Sequence, residues 1–379
     1  DINFTFRTLY VLAIFMIIDG HIGSFDYLSF NGLFPYQNYH IALFIFASGY
    51  FFKADRGYGE FIKHKTIKLI LPLYLWNFIY GTLVFYLNKY ENFTLGGEFS
   101  FYNLLYAPLV DGHQYIYNMG AWFLIPLFSV QLISFIILKP FLSSSKSFFT
   151  FCIWLFFIVS CFLGVAAIWA ASNNTGQRDL ILAGIRIFYF LPFYALGILY
   201  RYHLEKYDKI NTIAYLSIIF VATILLRINF PQCDIIPAWF NYINAPAIVI
   251  YLIAILAIFF WLRISKLLTP IIKNSAVLNY ISTHTFDIMM HHFVGLMLVK
   301  AALSPLGDFQ ATAFKGNIWY YHFPYEESLL TPIYISISIV IALFIGFTSK
   351  KLCYIIVNNL RQIVKKNVSL TYLTGRTIQ

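Results

Sequence analysis

Residues 147–170 read SFFTFCIWLFFIVSCFLGVAAIWA, 24 consecutive positions without a charged side chain. At 1.5 Å of rise per residue this run makes a helix of roughly 36 Å, enough to cross the ~30 Å hydrocarbon core of a bilayer. Reading outward gives nine more segments of the same kind. They lie at 4–21, 39–54, 66–88, 119–138, 180–200, 210–228, 243–262, 276–301 and 331–350. Most are joined by short polar links, with longer ones at 20–38, 89–118 and 302–330. The expected fold class is all-α, a polytopic membrane helical bundle of about ten transmembrane helices.

Composition agrees. Of 379 residues, 60% are hydrophobic, 20% aromatic and 11% charged, against roughly 25% charged in ordinary soluble domains. A soluble core of this size has no place for 41 Phe and 29 Tyr. A soluble enzyme, a disordered chain and a DNA-binding domain are excluded as descriptions of the whole. The net charge of +10 comes from short basic runs between apolar segments, so it sets topology and implies no nucleic-acid partner. Cys152, Cys161, Cys233 and Cys353 lack metal-ligand or disulfide-framework spacing. The first apolar segment lacks a small-residue cleavage site and is read as a retained helix. With no repeat of fixed period, one membrane domain over 1–379 is the economical reading.

Lysine and arginine placement orients the bundle. With the N-terminus and every second link cytoplasmic, that side holds all 26 cations except Lys89, Arg178, Arg186, Arg227, Lys300 and Lys315. Both termini are then cytoplasmic, with a basic tail from about residue 350.

Ionisable groups in lipid cost at least ~2.5–3.5 kcal/mol at the helix centre, so they mark cavities, partners or function. Asp19-Gly20-His21 ends the first span. His21 is either a general base beside the membrane pathway or an interfacial helix cap. Residues two apart on a helix do not face each other, so a direct pair with Asp19 is not assured. The ninth span carries His284, Asp287, His291 and His292. Asp287 and His291 share a face, as an oriented imidazole or as a buried structural contact; no metal is expected without a second matching element. Arg186 either pairs with an intramembrane acid or meets a substrate anion. His40 reads as an interfacial cap. Lys63, Lys65 and Lys68 anchor the cytoplasmic side and also suit a polyanion such as a nucleotide phosphate. No glycine-rich phosphate loop occurs.

These residues together resemble the integral-membrane acyltransferase family 3, in particular its polysaccharide O-acetyltransferase or fucose 4-O-acetylase-like branch. The aromatic second span from Tyr39 to Phe52, with Ser48-Gly49-Tyr50, is similar to the family's, as is FIKHKTIKLILPLYLW at 61–76. Gly120-Ala121-Trp122-Phe123-Leu124 and the span from Asn274 to His291 complete the likeness, which covers about 300 residues.

The resemblance implies transfer of an acetyl group from cytoplasmic acetyl-CoA to a hydroxyl of a cell-surface polysaccharide or its lipid-linked precursor, in a bacterial cytoplasmic membrane. It carries the family's first-span histidine onto His21, with Asp19, Asp287 and His291 tuning or orienting it. The family's arginine pair in the cytoplasmic loop falls on Lys65 and Lys68, which keep the charge without bidentate geometry. Arg7 and Arg186 complete the expected anion-binding set. The family leaves ten residues between its first-span arginine and histidine, whereas Arg7 and His21 here have thirteen between them. Either Arg7 is not the equivalent residue, or the helix ends before His21. No metal cofactor is implied. Two rival readings are a glycan flippase, with Arg186 and Asp287 as pathway charges, and a membrane glycan polymerase.

Overall fold

Backbone N–H and C=O groups have no water to bond in lipid, so a chain this apolar satisfies them inside helices. The computed structural model describes residues 2–22, 30, 32–173, 179–240, 244–303 and 331–374. Arg178, Lys315 and most of the last long link lie outside the described residues. Among the described residues eight helices are long and apolar enough to cross a membrane: α1 (Phe4–Ile22), α3 (Tyr58–Tyr90), α4 (Ile116–Phe141), α5 (Lys146–Asn173), α6 (Leu180–Tyr207), α7 (Thr212–Asn229), α8 (Ala247–Asn274) and the Thr331–Ile355 part of α11. Two shorter apolar helices, α2 (His40–Tyr50) and α10 (Thr285–Leu303), occupy the stretches read as the second and ninth spans, and α2, rising about 16 Å, is too short to cross on its own. A short α9 (Ala276–Thr283) leads into α10. Among the described residues there is no β-strand, and an isolated bridge joins Gly96 and Tyr115.

Several boundaries differ from the sequence reading, and α8 runs on to Asn274 where 262 is expected. The third span begins at Tyr58, with the basic stretch forming its first turns and one wider π turn at Thr66–Ile70. The ninth is broken at His284, whose backbone N–H caps the carbonyl of Ile281 at 3.0 Å. α11 runs on to Thr374 and takes the basic tail with it as helix.

The bundle is apolar on its outer faces as well as in its core. On α5, Phe148, Phe151, Leu155, Ile158, Phe162, Val165 and Trp169 recur at alternating steps of three and four and are exposed. That spacing is a single helical stripe, and in a membrane it faces lipid. The opposite face, including Ile153, Phe156, Gly164 and Ile168, is buried, and α5 packs on α6. At the crossing of α2 and α6 a Cβ on Gly49 would overlap the carbonyl oxygen of Tyr194, and one on Gly197 that of Phe46. Small residues let two membrane helices touch backbone to backbone.

At the end assigned to the cytoplasm, Asp208 is held by Arg263, Lys266 and the Tyr200 hydroxyl (2.7 Å). Burial pushes its carboxyl upward, but the Lys266 and Tyr200 hydrogen bonds and the two cations outweigh that and keep it below the usual carboxylate range. Arg201 donates to the carbonyls of Tyr50 and Phe52. These cations are structural ties between α2, α6 and α8.

Candidate functional site

The last turn of α1 carries Gly20 and half-buried His21 into a cavity of about 280 Å³. Its walls come from three of the five links that charge placement assigns to the outer face. Gln37, His40 and Ile41 come from the start of α2, His113 from the link before α4, and Ile236 to Trp239 from the link between α7 and α8. Gly120, Trp122 and Phe123 at the opening of α4, and Met289 of α10, close it.

Buried amides hold these links in place. Asn38 donates to the carbonyl of Cys233 (3.0 Å) and accepts from the N–H of Ile235 (2.7 Å), tying the start of α2 to the link that carries Trp239. Asn77 of α3 accepts from Gln114 and Asn118 and donates to the carbonyls of Asn103 and Leu104. It thereby anchors the segment on either side of the His113–α4 junction. Buried polar side chains persist only when bonded, and here the bonds shape a wall.

Behind His21 lies His292, fully buried. The two imidazoles stack with centroids 5.3 Å apart and planes 29° apart, and Phe293 packs against both. His292 Nδ1 donates to the carbonyls of Met289 (2.8 Å) and Ile288 (3.2 Å), because a carbonyl oxygen only accepts. Its Nε2 is buried and makes no hydrogen bond.

The other expected site residues lie elsewhere. Asp19 lines a different cavity, of about 550 Å³, with Phe15, Tyr280 and Ile339; two steps along a helix turn it about 200° away from His21. Asp287 bonds Lys350 of α11 at 2.5 Å, while His291 Nδ1 bonds the Tyr80 hydroxyl at 2.7 Å and its ring sits edge-on to Trp76. The expected Asp287–His291 pair is not made, since each side chain has a partner on another helix. His284 bonds the carbonyl of Tyr280 at the α9–α10 break. α1 is unbroken through His21, which removes the alternative of an earlier helix end. Fourteen positions put Arg7 about 21 Å along the axis from His21, where it donates to Asn279 Oδ1.

Arg186 is neither paired with an acid nor open to a ligand. Nη1 donates to the carbonyls of Val110 (3.0 Å) and Asp111 (2.9 Å), and Nη2 to that of Ala238. Lys65 and Lys68 lie in the first turns of α3, at the end opposite the cavity in the charge-derived orientation. Among the described residues neither forms an ion pair, and Lys65 sits 5.4 Å over the Phe61 ring.

Sequence reasoning missed His113 and Trp239. One signal was present: Asp111-Gly112-His113 repeats the tripeptide Asp19-Gly20-His21, and both histidines line one cavity. His113 Nδ1 lies 3.3 Å from Asp111 Oδ1. Burial pushes this imidazole below its ordinary range, Asp111 partly offsets that, and Arg186 adds repulsion. The neutral ring donates from Nδ1 to the carboxylate and keeps a lone pair on Nε2.

An imidazole at the rim of an enclosed cavity can take a proton from a hydroxyl or attack an acyl carbon. A family model described as an acyltransferase domain, that of acyltransferase family 3, matches residues 9–349. No curated protein and no solved structure matches the chain. With nine-tenths of its length matched and its helices suited to lipid, the chain belongs to acyltransferase family 3 and is a membrane acyltransferase.

Proposed function

We propose that the protein moves an acetyl group from cytoplasmic acetyl-CoA to a hydroxyl of a cell-surface polysaccharide or its lipid-linked precursor, in a bacterial cytoplasmic membrane. The observation that carries this reading is the placement of His21. It stands in a cavity walled by three links assigned to the outer face, while Lys65 and Lys68, neither in an ion pair among the described residues, lie at the opposite end in the charge-derived orientation. A donor bearing phosphates would dock on Lys65 and Lys68 from the cytoplasm, its thin acyl-bearing arm reaching inward. His21 would deprotonate the acceptor hydroxyl for attack on the thioester, or carry the acetyl group itself. In either route the hydroxyl's proton ends on the departing thiolate, giving ester and free CoA.

Arg186 and Asp287 have protein partners, which takes from the flippase reading the pathway charges it would use.

The test is reconstitution in liposomes with radiolabelled acetyl-CoA outside and a bacterial glycan extract as acceptor. The reading expects label on the glycan with equimolar thiol release, and a KM for acetyl-CoA raised about tenfold or more by Lys65→Ala/Lys68→Ala. Glycan movement without thiol release would contradict it.

A further inference from the structure

One guanidinium joins two links that lie far apart in sequence. Arg186, 2% exposed, holds the carbonyls of Val110 and Asp111 on one side and that of Ala238 on the other. Its flat face lies 4.8 Å from the Trp122 ring. Held this way, the links bring His113 and Trp239 into a stack, centroids 4.0 Å apart and planes 28° apart. Trp122 follows at 6.0 Å from His113. The result is a layered wall of flat rings, with half-buried Trp239 in the lining of the His21 cavity.

The rest of the lining narrows what that wall can hold. Its polar side chains are Gln37, His21, His40 and His113, and among the described residues it contains no Lys, Arg, Asp or Glu. A pyranose has an apolar C–H face that lies flat on an indole and a rim of hydroxyls for amide and imidazole partners. A carboxylated sugar would find no Lys or Arg among the described lining residues to pair its charge, at a cost of several kcal/mol per ion. The volume of about 280 Å³ lies just below the ~300–1,000 Å³ of drug-sized pockets, so it suits one ring and not a chain of them.

We infer that this wall is the acceptor subsite, that it takes one uncharged pyranose stacked on Trp239, and that Arg186 is the positioning residue that builds it. The inference rests on the acetyl-transfer reading and specifies its acceptor. The hydrogen bonds of the Arg186 guanidinium to Val110, Asp111 and Ala238 all go to main-chain carbonyls, so its effect on the reaction passes through Trp239 and His113.

The experiment uses the full chain in detergent with four probes: the methyl glycosides of a neutral hexose, a 6-deoxyhexose, an N-acetylhexosamine and a uronic acid. Binding is followed by tryptophan fluorescence without acetyl-CoA, and transfer by label from acetyl-CoA. At least one neutral glycoside should bind and accept acetyl, with the uronate at least about tenfold poorer. Trp239→Ala should raise the KM for the glycoside about tenfold or more while the KM for acetyl-CoA stays put, and Trp239→Phe should restore most of the loss. Arg186→Lys should mimic Trp239→Ala, and the double variant should be no worse than either alone.

The inference is overturned if the uronate matches the neutral sugars, if Trp239→Ala leaves the glycoside KM unchanged, or if both KM values rise together. It is also overturned if no glycoside binds while acetyl-CoA is hydrolysed. Glycoside binding without any use of acetyl-CoA leaves the subsite standing and overturns the donor assignment instead. Should Arg186→Lys fail to fold, the Trp239 pair still decides.

Discussion

His21 and His292 stack ring on ring, 5.3 Å between centroids, and only one of them reaches the cavity. His292 is fixed by two main-chain carbonyls and so fixes its neighbour. His292→Ala should therefore lower kcat by about ten- to a hundredfold through lost orientation, with little change in the KM for acetyl-CoA. His292→Asn, which keeps a donor toward the carbonyls, should recover part of the loss. Steady-state kinetics of both variants checks this, and equal kcat in the wild type and His292→Ala would refute it.

Gly120 is what lets the opening of α4 lie against α10. A Cβ there would stand 2.8 Å from the carbonyl oxygen of Met289 and 3.0 Å from His292 Cε1. The first of these is backbone and cannot swing aside. Gly120→Ala should cost about 1–3 kcal/mol by overpacking, visible as a lower Tm together with a lower kcat. Gly184→Ala in α6, where nothing lies within 4 Å of the added carbon, should be neutral or stabilise by about 0.5–1 kcal/mol. Equal melting of the two variants would show that the α4–α10 contact is not close.

Asp287 is buried and pairs with exposed Lys350. Asp287→Asn removes a buried charge together with its need for a partner, whereas Lys350→Ala strands the carboxylate. Thermal denaturation should rank Lys350→Ala below Asp287→Asn, with both keeping kcat per folded molecule close to wild type. A kcat lost in Asp287→Asn at unchanged Tm would return Asp287 to the chemistry.

His113 should make acceptor binding depend on pH in one direction. Its imidazole is held below the ordinary value of about 6.5, so it is neutral at pH 7 and its Nε2 can accept from a hydroxyl. Acidification adds the proton and removes that acceptor. Glycoside affinity should stay level from pH 8 through about 6.5 and fall only at lower pH. Asp111 favours the protonated ring, so Asp111→Asn should move the fall to still lower pH. His21 and His40 share the cavity, so His113→Gln serves as the reference that removes this one group. A fall centred above pH 6.5 that disappears in His113→Gln would contradict the assignment.

The spans were legible because lipid imposes one rule on every residue in them: twenty apolar positions and no bare charge. Boundaries failed where that rule stops acting. Tyr58–Lys65 and the end of α11 are basic helix beyond the apolar core, and the π turn at Thr66–Ile70 has no hydropathy signature. His21 could be found because it interrupts an apolar run. Asp287 and His291 were misjudged as partners because four-residue spacing says which face a side chain shares, while Tyr80 and Lys350 come from helices more than 60 residues away. His113 and Trp239 sit in polar links, where a histidine or tryptophan is unremarkable until Arg186 joins those links through main-chain bonds that no side-chain pattern encodes.

The most direct measurement is radiolabelled acetyl transfer by purified wild type and His21→Ala, with CoA binding measured on both. The account predicts that the variant still binds CoA and loses transfer by about a thousandfold or more, the scale of losing a catalytic base or nucleophile. Full transfer by His21→Ala, or no CoA binding by either protein, would contradict it.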